Sequence, residues 1–390
     1  VKGDDVMKTV LLRGPILTHS GYGIHSRQIA RWLLTKRGID LSVGALPWGN
    51  TPWCVDPTMD GGLIGRLMEC TGVSQRVNDV TFQIQLPNEW DNSLGRFNVG
   101  VTAAVETDRC NPEWITACNR MNAVIVPSEH TRNVLRASGE LRVPVTVIPE
   151  SFADPCGRDD VTIDVDFDTS FNFLIFGQIT GNNPHNDRKN LLFTVKWLCE
   201  LFKNDPTVGI VVKTNSGRMT KIDKKVCTDI FTTALREVRS GVYPKLHLLH
   251  GMMTDETVAG LYRHPKIKAL ITCTRGEGYG LPILEAAASG LPVVATNWSG
   301  HLDFMKLGKF VNLDYDLKEI HASRVDGKIF MQGSKWAEVK EEDFKRRVKK
   351  FKESPVTPRE WACDLKSKIR AEFSFESISR KWDAEFGEML

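Results

Sequence analysis

The sequence lacks any apolar run approaching the length of a membrane span, so no integral membrane segment is expected in its 390 residues. It also lacks a Cys-x-x-Cys pair. Its nine cysteines, Cys54, Cys70, Cys110, Cys118, Cys156, Cys199, Cys227, Cys273 and Cys363, are scattered without pattern. That excludes a zinc knuckle, a thioredoxin-type motif and a disulfide framework, and it suits reduced thiols in a cytoplasmic setting. An excess of one charge is missing too. With 51 basic and 48 acidic residues the net charge is only +3, too small to announce a nucleic-acid partner. The opening VKGDDVMKTVLLRGP carries acids and has no cleavage pattern behind a long apolar core, so no signal peptide is expected there. No repeat or low-complexity tract stands out.

What is present centres on ALITCTRGEGYGLPILEAAASGLPVVAT, which reads as strand, loop, helix, turn, strand. Ala269 to Cys273 is a short apolar run fit for a buried parallel strand. The loop Arg275-Gly276-Glu277-Gly278-Tyr279-Gly280 holds three glycines, which let backbone amides approach a ligand. Leu281 and Pro282 open a helix, where the missing N–H of proline is harmless, and Gly290 ends it. A glycine loop running into a helix N-terminus is an anion site by its free amides and dipole. Glu277 in the loop and Glu285 on the helix add two carboxylates, each suited to a vicinal diol. Donors for phosphate beside acceptors for sugar hydroxyls are what a nucleotide-sugar requires. The bland alternative is an ordinary βαβ turn.

The run from Glu277 through Leu281 and Pro282 to Glu285, then Ala286-Ala-Ala-Ser-Gly290-Leu-Pro-Val-Val, resembles the signature of the retaining GT-B glycosyltransferases of family 4. The resemblance implies that Glu277 holds hydroxyls of the donor sugar and Glu285 the ribose of the nucleotide. It also places the amides of Gly278, Tyr279 and Gly280 against the sugar and diphosphate.

Earlier in the chain, a strand through Val10 to Leu12 is followed by a loop with Gly21 and Gly23 and an amphipathic helix, Arg27 to Lys36. This repeats the anion-site pattern, and it resembles the family loop that faces the donor phosphates. Trp48 and Trp53 sit in a loop, either to stack on a sugar or base or to cover a domain edge. Further strands are expected at 40–46, 80–86, 99–105, 123–127 and 145–150. Glu106 ends one of them, where many family members place a histidine or acid near the reacting carbon; no histidine matches here. Ser128 reads as the N-cap of a helix, with His130 in its first turn and more structural than catalytic. Residues 153–170, rich in Asp, read as a solvated linker.

A second domain opens with a strand, Phe171 to Phe176, then Gly177-Gln178 and a loop ending in Arg188-Lys189-Asn190 ahead of a helix. Cations at a helix start oppose the macrodipole unless they serve an anion. By resemblance Lys189 reaches the donor diphosphate. The expected arginine after the strand is Gln178, and Arg188 is the candidate to supply its charge. Lys213 ends another strand, either in the site or exposed. Asn297 to Asp303 resembles the family loop that ends in glutamate. Lys335 to Lys352 is strongly charged, either a solvated face or a surface for phosphate-rich acceptors or anionic membranes.

The expected fold is α/β, GT-B: two Rossmann-like doubly wound parallel-sheet domains with a cleft between them. Residues 1–152 form the acceptor side, 171–370 bind nucleotide-sugar, and 371–390 form a helix returning to the first domain. The implied reaction moves a sugar from a nucleoside diphosphate sugar to an acceptor hydroxyl with retention, with no metal and no cofactor beyond the donor. A glycan or lipid-linked glycan is the expected acceptor, with peripheral membrane contact as one setting. The alternatives are a phage-type DNA glycosyltransferase acting on hydroxymethylated bases and a non-catalytic nucleotide-sugar-binding module. A phosphorylase on the same architecture is a further rival.

Overall fold

The structure is a computed structural model that describes residues 7–72, 77–181, 183–215, 217–239 and 241–390; the acidic residues of the opening segment lie outside it. The chain divides into two compact units. One comprises Val1–Val105, Arg109–Ser151 and Phe375–Leu390; the other comprises Glu106–Asp108 and Phe152–Ser374.

The first unit is built on six parallel strands: β1 (Lys8–Gly14), β2 (Ile39–Ala45), β3 (Asn78–Ile84), β4 (Gly95–Val101), β5 (Ala123–Val126) and β6 (Val145–Val147), ordered 2-1-3-4-5-6. The central strands are nearly continuous apolar runs because helices cover both faces of such a sheet. The helix Phe375–Phe386 completes this unit. Its Trp382 packs at 5.3 Å from Trp32 and Phe386 at 5.4 Å from Phe82, and the Trp32 indole donates to Asp383 at 2.8 Å. Trp382 and Phe386, with Ile378, are the apolar residues this helix buries.

The second unit has β7 (Phe171–Phe176), β8 (Val208–Thr214), β9 (Lys245–His250), β10 (Ile267–Thr272), β11 (Val293–Thr296) and β12 (Val311–Leu313), all parallel, ordered 12-11-10-7-8-9. Its core joins Phe173, Ile175, Val195, Leu198, Ile210, Val212, Ile271 and Phe344. Strand order reverses between β7 and β10. In open α/β sheets the crevice beyond the carboxyl ends at such a switch point is where ligands bind, and here it receives the loops after both strands. An antiparallel pair, β13 (Tyr315–Glu319) and β14 (Lys335–Val339), interrupts the strand–helix alternation expected from the sequence.

Residues 153–170 are not a free linker. Their acids are exposed, but Cys156, Val161 and Phe167 are buried in the second unit, and Asp159 pairs with Arg370 at 2.7 Å and Lys366 at 2.8 Å. Short apolar anchors spaced between acids escape a composition-based boundary. Among the described residues, no helix is long and apolar enough to cross a membrane.

Candidate functional site

The loop after β10 delivers Glu277 to the switch point. Two glycines fix its path. A Cβ on Gly276 would lie 2.2 Å from the Glu106 carbonyl oxygen, and Gly280 adopts φ +104 as it enters the helix Leu281–Ala288. No side chain caps that helix; Pro282 in its opening turn has no N–H, and the Ile283 and Leu284 amides donate to the Gly280 carbonyl at 2.9 and 3.1 Å, so an anion here would meet the dipole end and the amides ahead of Pro282.

Glu277 is buried, 6% exposed. Lys189 Nζ donates to both its oxygens at 2.6 and 2.9 Å, Arg188 Nη1 donates to Oε2 at 3.3 Å, and its own N–H donates to Ser299 Oγ at 2.9 Å. Burial alone would raise this carboxyl; Lys189 and then Arg188 overcome it and hold it at about 2. Burial pulls the Lys189 ammonium down against the pull of Glu277. Arg188 goes the other way: burial opposes its charge, but Glu106 and Glu277 together raise it. Its guanidinium also donates to the Gly276 carbonyl at 2.8 Å and pairs with Glu106 at 3.2 Å. Two cations and two carboxylates thus form one network, in which each partner limits the desolvation penalty of the other.

Glu106 was expected to face this site from the first domain. Instead Glu106–Asp108 belongs to the second unit, where the Arg188 pair and the Lys335 carbonyl, accepting from Asp108 N–H at 2.9 Å, hold the segment.

Three groups that the sequence did not single out surround this network. Asp187, fully buried, accepts from Thr180 N–H and Oγ1 at 2.8 Å each, from Lys189 N–H at 3.3 Å and from Leu191 N–H at 2.9 Å. Arg275, 1% exposed, forks onto Glu338 at 2.5 and 3.1 Å and donates to the Pro184 and Asp187 carbonyls at 2.9 and 2.6 Å. It ties the loops after β7 and β10 to β14. His301 Nε2 donates to the Thr296 carbonyl at 2.7 Å, and burial lowers its pKa, so it stays neutral.

Glu285 lies one turn into the helix, half-buried, receiving the Tyr262 hydroxyl at 3.4 Å. Burial, with Asp255 adding, pushes its carboxyl up to about 8. It is therefore largely protonated at neutral pH. Tyr279 is buried and its ring meets Phe304 edge-on at 5.4 Å. Leu281 is buried as well. Gln178 is turned aside, donating to the Asn215 carbonyl at 2.8 Å.

Gly21 and Gly23 belong to the first unit. The Gly23 amide is taken by the N-cap Ser20 Oγ at 2.9 Å, and a Cβ there would lie 2.3 Å from the Thr18 carbonyl oxygen, so packing within the unit accounts for this glycine. Trp48 stacks on Tyr22 at 4.1 Å, while Trp53 is 41% exposed. The charged stretch 335–352 is β14 plus the helix Glu341–Glu353, and most of its charge is spent locally. Lys345 pairs with Glu200 and Glu341, Arg346 and Arg347 with Asp343, and Lys352 with Asp205.

Residues 218–313 match the family model described as glycosyl transferases group 1. No curated protein matches the chain by sequence. Among solved structures it is similar to a glycosyltransferase from Rickettsia africae, with TM-score 0.65 and 12% identity over 98% of each chain. It is also similar to HepE from Anabaena in complex with UDP and glucose, with TM-score 0.57 and 13% identity over 98% of this chain and 100% of that one. A third is the pneumococcal O-GlcNAc transferase GtfA in complex with UDP and GlcNAc, with TM-score 0.51 and 14% identity over 79% of this chain; the match spans only 56% of that longer protein. The two six-stranded parallel sheets are the two Rossmann-like domains of the GT-B fold.

Proposed function

On a chain with the GT-B fold and a glycosyl transferases group 1 segment, we propose a retaining glycosyltransferase that moves a sugar from a nucleoside diphosphate sugar to an acceptor hydroxyl. The observation that carries this is the convergence of Glu277, Lys189, Arg188 and Glu106 beside an uncapped helix N-terminus at the switch point. Two similar structures hold UDP together with a sugar, so UDP-glucose and UDP-GlcNAc are the first donors to try.

In this function the donor enters with its sugar hydroxyls on Glu277, its diphosphate over the amides of Gly278, Tyr279, Gly280 and Leu281, and its ribose on Glu285. Sugar hydroxyls replace Lys189 as donors to Glu277. That frees the ammonium to meet the charge that grows on the leaving diphosphate, the point at which a preorganised cation accelerates departure most. Protein groups then do the charge work, and no cofactor beyond the donor is required. Glu106 is held by Arg188, which blunts it as a nucleophile. Attack of the acceptor on the face the diphosphate leaves from, with retention, therefore fits better than a covalent intermediate on Glu106. An intact network of this kind favours an enzyme over a binding module.

The proposed acceptor is a glycan or lipid-linked glycan, in a cytoplasmic setting. The ion pairs that consume most of the charge of 335–352 weigh against DNA, which needs open cations for its phosphates.

A thermal-shift panel of nucleotide-sugars tests donor binding. A donor at about 100 times its Kd adds about 2.7 kcal/mol of stability. The expected outcome is a shift with at least one UDP-sugar, and proton NMR of the product then reads the anomeric configuration. No shift with any nucleotide-sugar would defeat the proposal.

A further inference from the structure

Lys213 is a fully buried cation that the site above leaves unexplained. It sits at the carboxyl end of β8, in register with Phe176 of β7, and is 1% exposed. Its ammonium donates to Asn215 Oδ1 and, at 2.6 Å, to the Gly251 carbonyl, and it stands 5.7 Å from the centre of the Phe176 ring. All three partners are neutral. Among the described residues of this unit, the buried Arg275 and the half-buried Arg188 and Lys189 each face a carboxylate. An ammonium has three N–H donors, and two are used here. Burial with no counter-charge among the described residues disfavours the ammonium, and the Lys213 pKa falls to about 8. A charge left in this state lowers stability until an anion joins it.

The surroundings say which anion. Phe176 stacks on Tyr262 at 6.1 Å, and Tyr262 donates to Glu285. Lys213 and Glu285 thus flank one aromatic pair at the carboxyl edge of the sheet, whereas Lys189 is at the Glu277 end. A donor with its ribose on Glu285 and its sugar on Glu277 carries its first phosphate next to the ribose. We propose that Lys213 binds the nucleoside-side phosphate of the donor, as the counterpart of Lys189 on the sugar side. This rests on the donor function proposed above.

The experiment is calorimetric titration of UDP, UMP and uridine, with GDP and ADP and their monophosphates and nucleosides in parallel, into wild type, Lys213→Met and Lys213→Arg. We expect Lys213→Met to weaken the di- and monophosphate by about 10- to 100-fold and to leave the nucleoside within about twofold. Lys213→Arg should recover most of the loss. The ligand-free Lys213→Met protein should melt at or above the wild-type temperature, because a buried charge has been removed. Phosphate affinity within about twofold of wild type would overturn the proposal, as would equal weakening of the nucleoside or a lowered melting temperature, which mark a structural role. A wild type that binds none of the diphosphates defeats the donor function itself, a result separate from any variant.

Discussion

Breaking the Glu277–Lys189 pair should be far more damaging than removing it. Lys189→Met leaves Glu277, 6% exposed, with Arg188 at 3.3 Å as its remaining cation. The carboxyl held at about 2 against its ordinary 4.5 represents about 3 kcal/mol at neutral pH. Burial of Lys189 works against part of that gain, so the pair as a unit contributes little. The single variant Lys189→Met should therefore lose about 3 to 5 kcal/mol. The double variant Lys189→Met/Glu277→Gln should recover at least about 2 kcal/mol relative to the sum of the two singles. Denaturant unfolding at pH 7, followed by amide exchange in β10, reads the second unit directly. The sign with pH is fixed. A depressed carboxylate stabilises fully above 4.5 and loses that contribution as the pH falls toward about 2, so the gap between wild type and Lys189→Met should close across that window. A Lys189→Met protein within about 0.5 kcal/mol of wild type, or strictly additive singles, would refute the electrostatic account.

Glu285 predicts the opposite slope: its carboxyl is raised to about 8, so between 4.5 and 8 it is protonated in the fold and ionised in the unfolded chain, and ligand-free stability falls as pH rises. Glu285→Gln should remove that fall, which melting curves at pH 5 and pH 8 would show. Nucleotide hydroxyls favour the carboxylate, so UDP affinity should rise by up to about tenfold per pH unit toward 8 and lose this dependence in Glu285→Gln, where the lost charged hydrogen bond costs about 1.5–3 kcal/mol; a pH-flat wild type would refute the ribose role. Arg275→Met strands Glu338 and frees the loop that carries Lys189, so it should cost about 3–5 kcal/mol, and Arg275→Lys should not rescue the two-pronged pair. Equal melting temperatures for Arg275→Lys and wild type would contradict that.

The local parts of this site were legible in the sequence because they are carried by local patterns. Glu277, Gly280, Pro282 and Glu285 lie within one loop and helix, and their spacing sets their geometry. The N-cap Ser128 likewise accepts from the Thr131 amide three residues on. What stayed hidden depends on topology. Arg275 meets Glu338 across 63 residues, and Arg188 meets Glu106 only because the fold brings that segment to the second unit. Nothing local to Asp187 in the sequence shows that four donors converge on it. Lys213 ends a β-strand where alternation leaves inside and outside equally open, and only the pairing of β7 with β8 and β9 settles its burial. The stretch 153–170 misled because composition counts its acids, whereas buried Cys156, Val161 and Phe167 anchor it in the unit.

The most direct test of donor turnover is release of the nucleoside diphosphate. Wild type, Lys189→Met and Glu277→Gln are each incubated with UDP-glucose and UDP-GlcNAc, with and without a glycan acceptor mixture, and free UDP is followed over time. The account predicts UDP release by wild type, faster with acceptor, and a loss of about 100-fold or more in kcat for Lys189→Met with a smaller change in donor affinity. Release from wild type that is undiminished in Lys189→Met, or no release from any nucleotide-sugar by a protein that binds one, would contradict it.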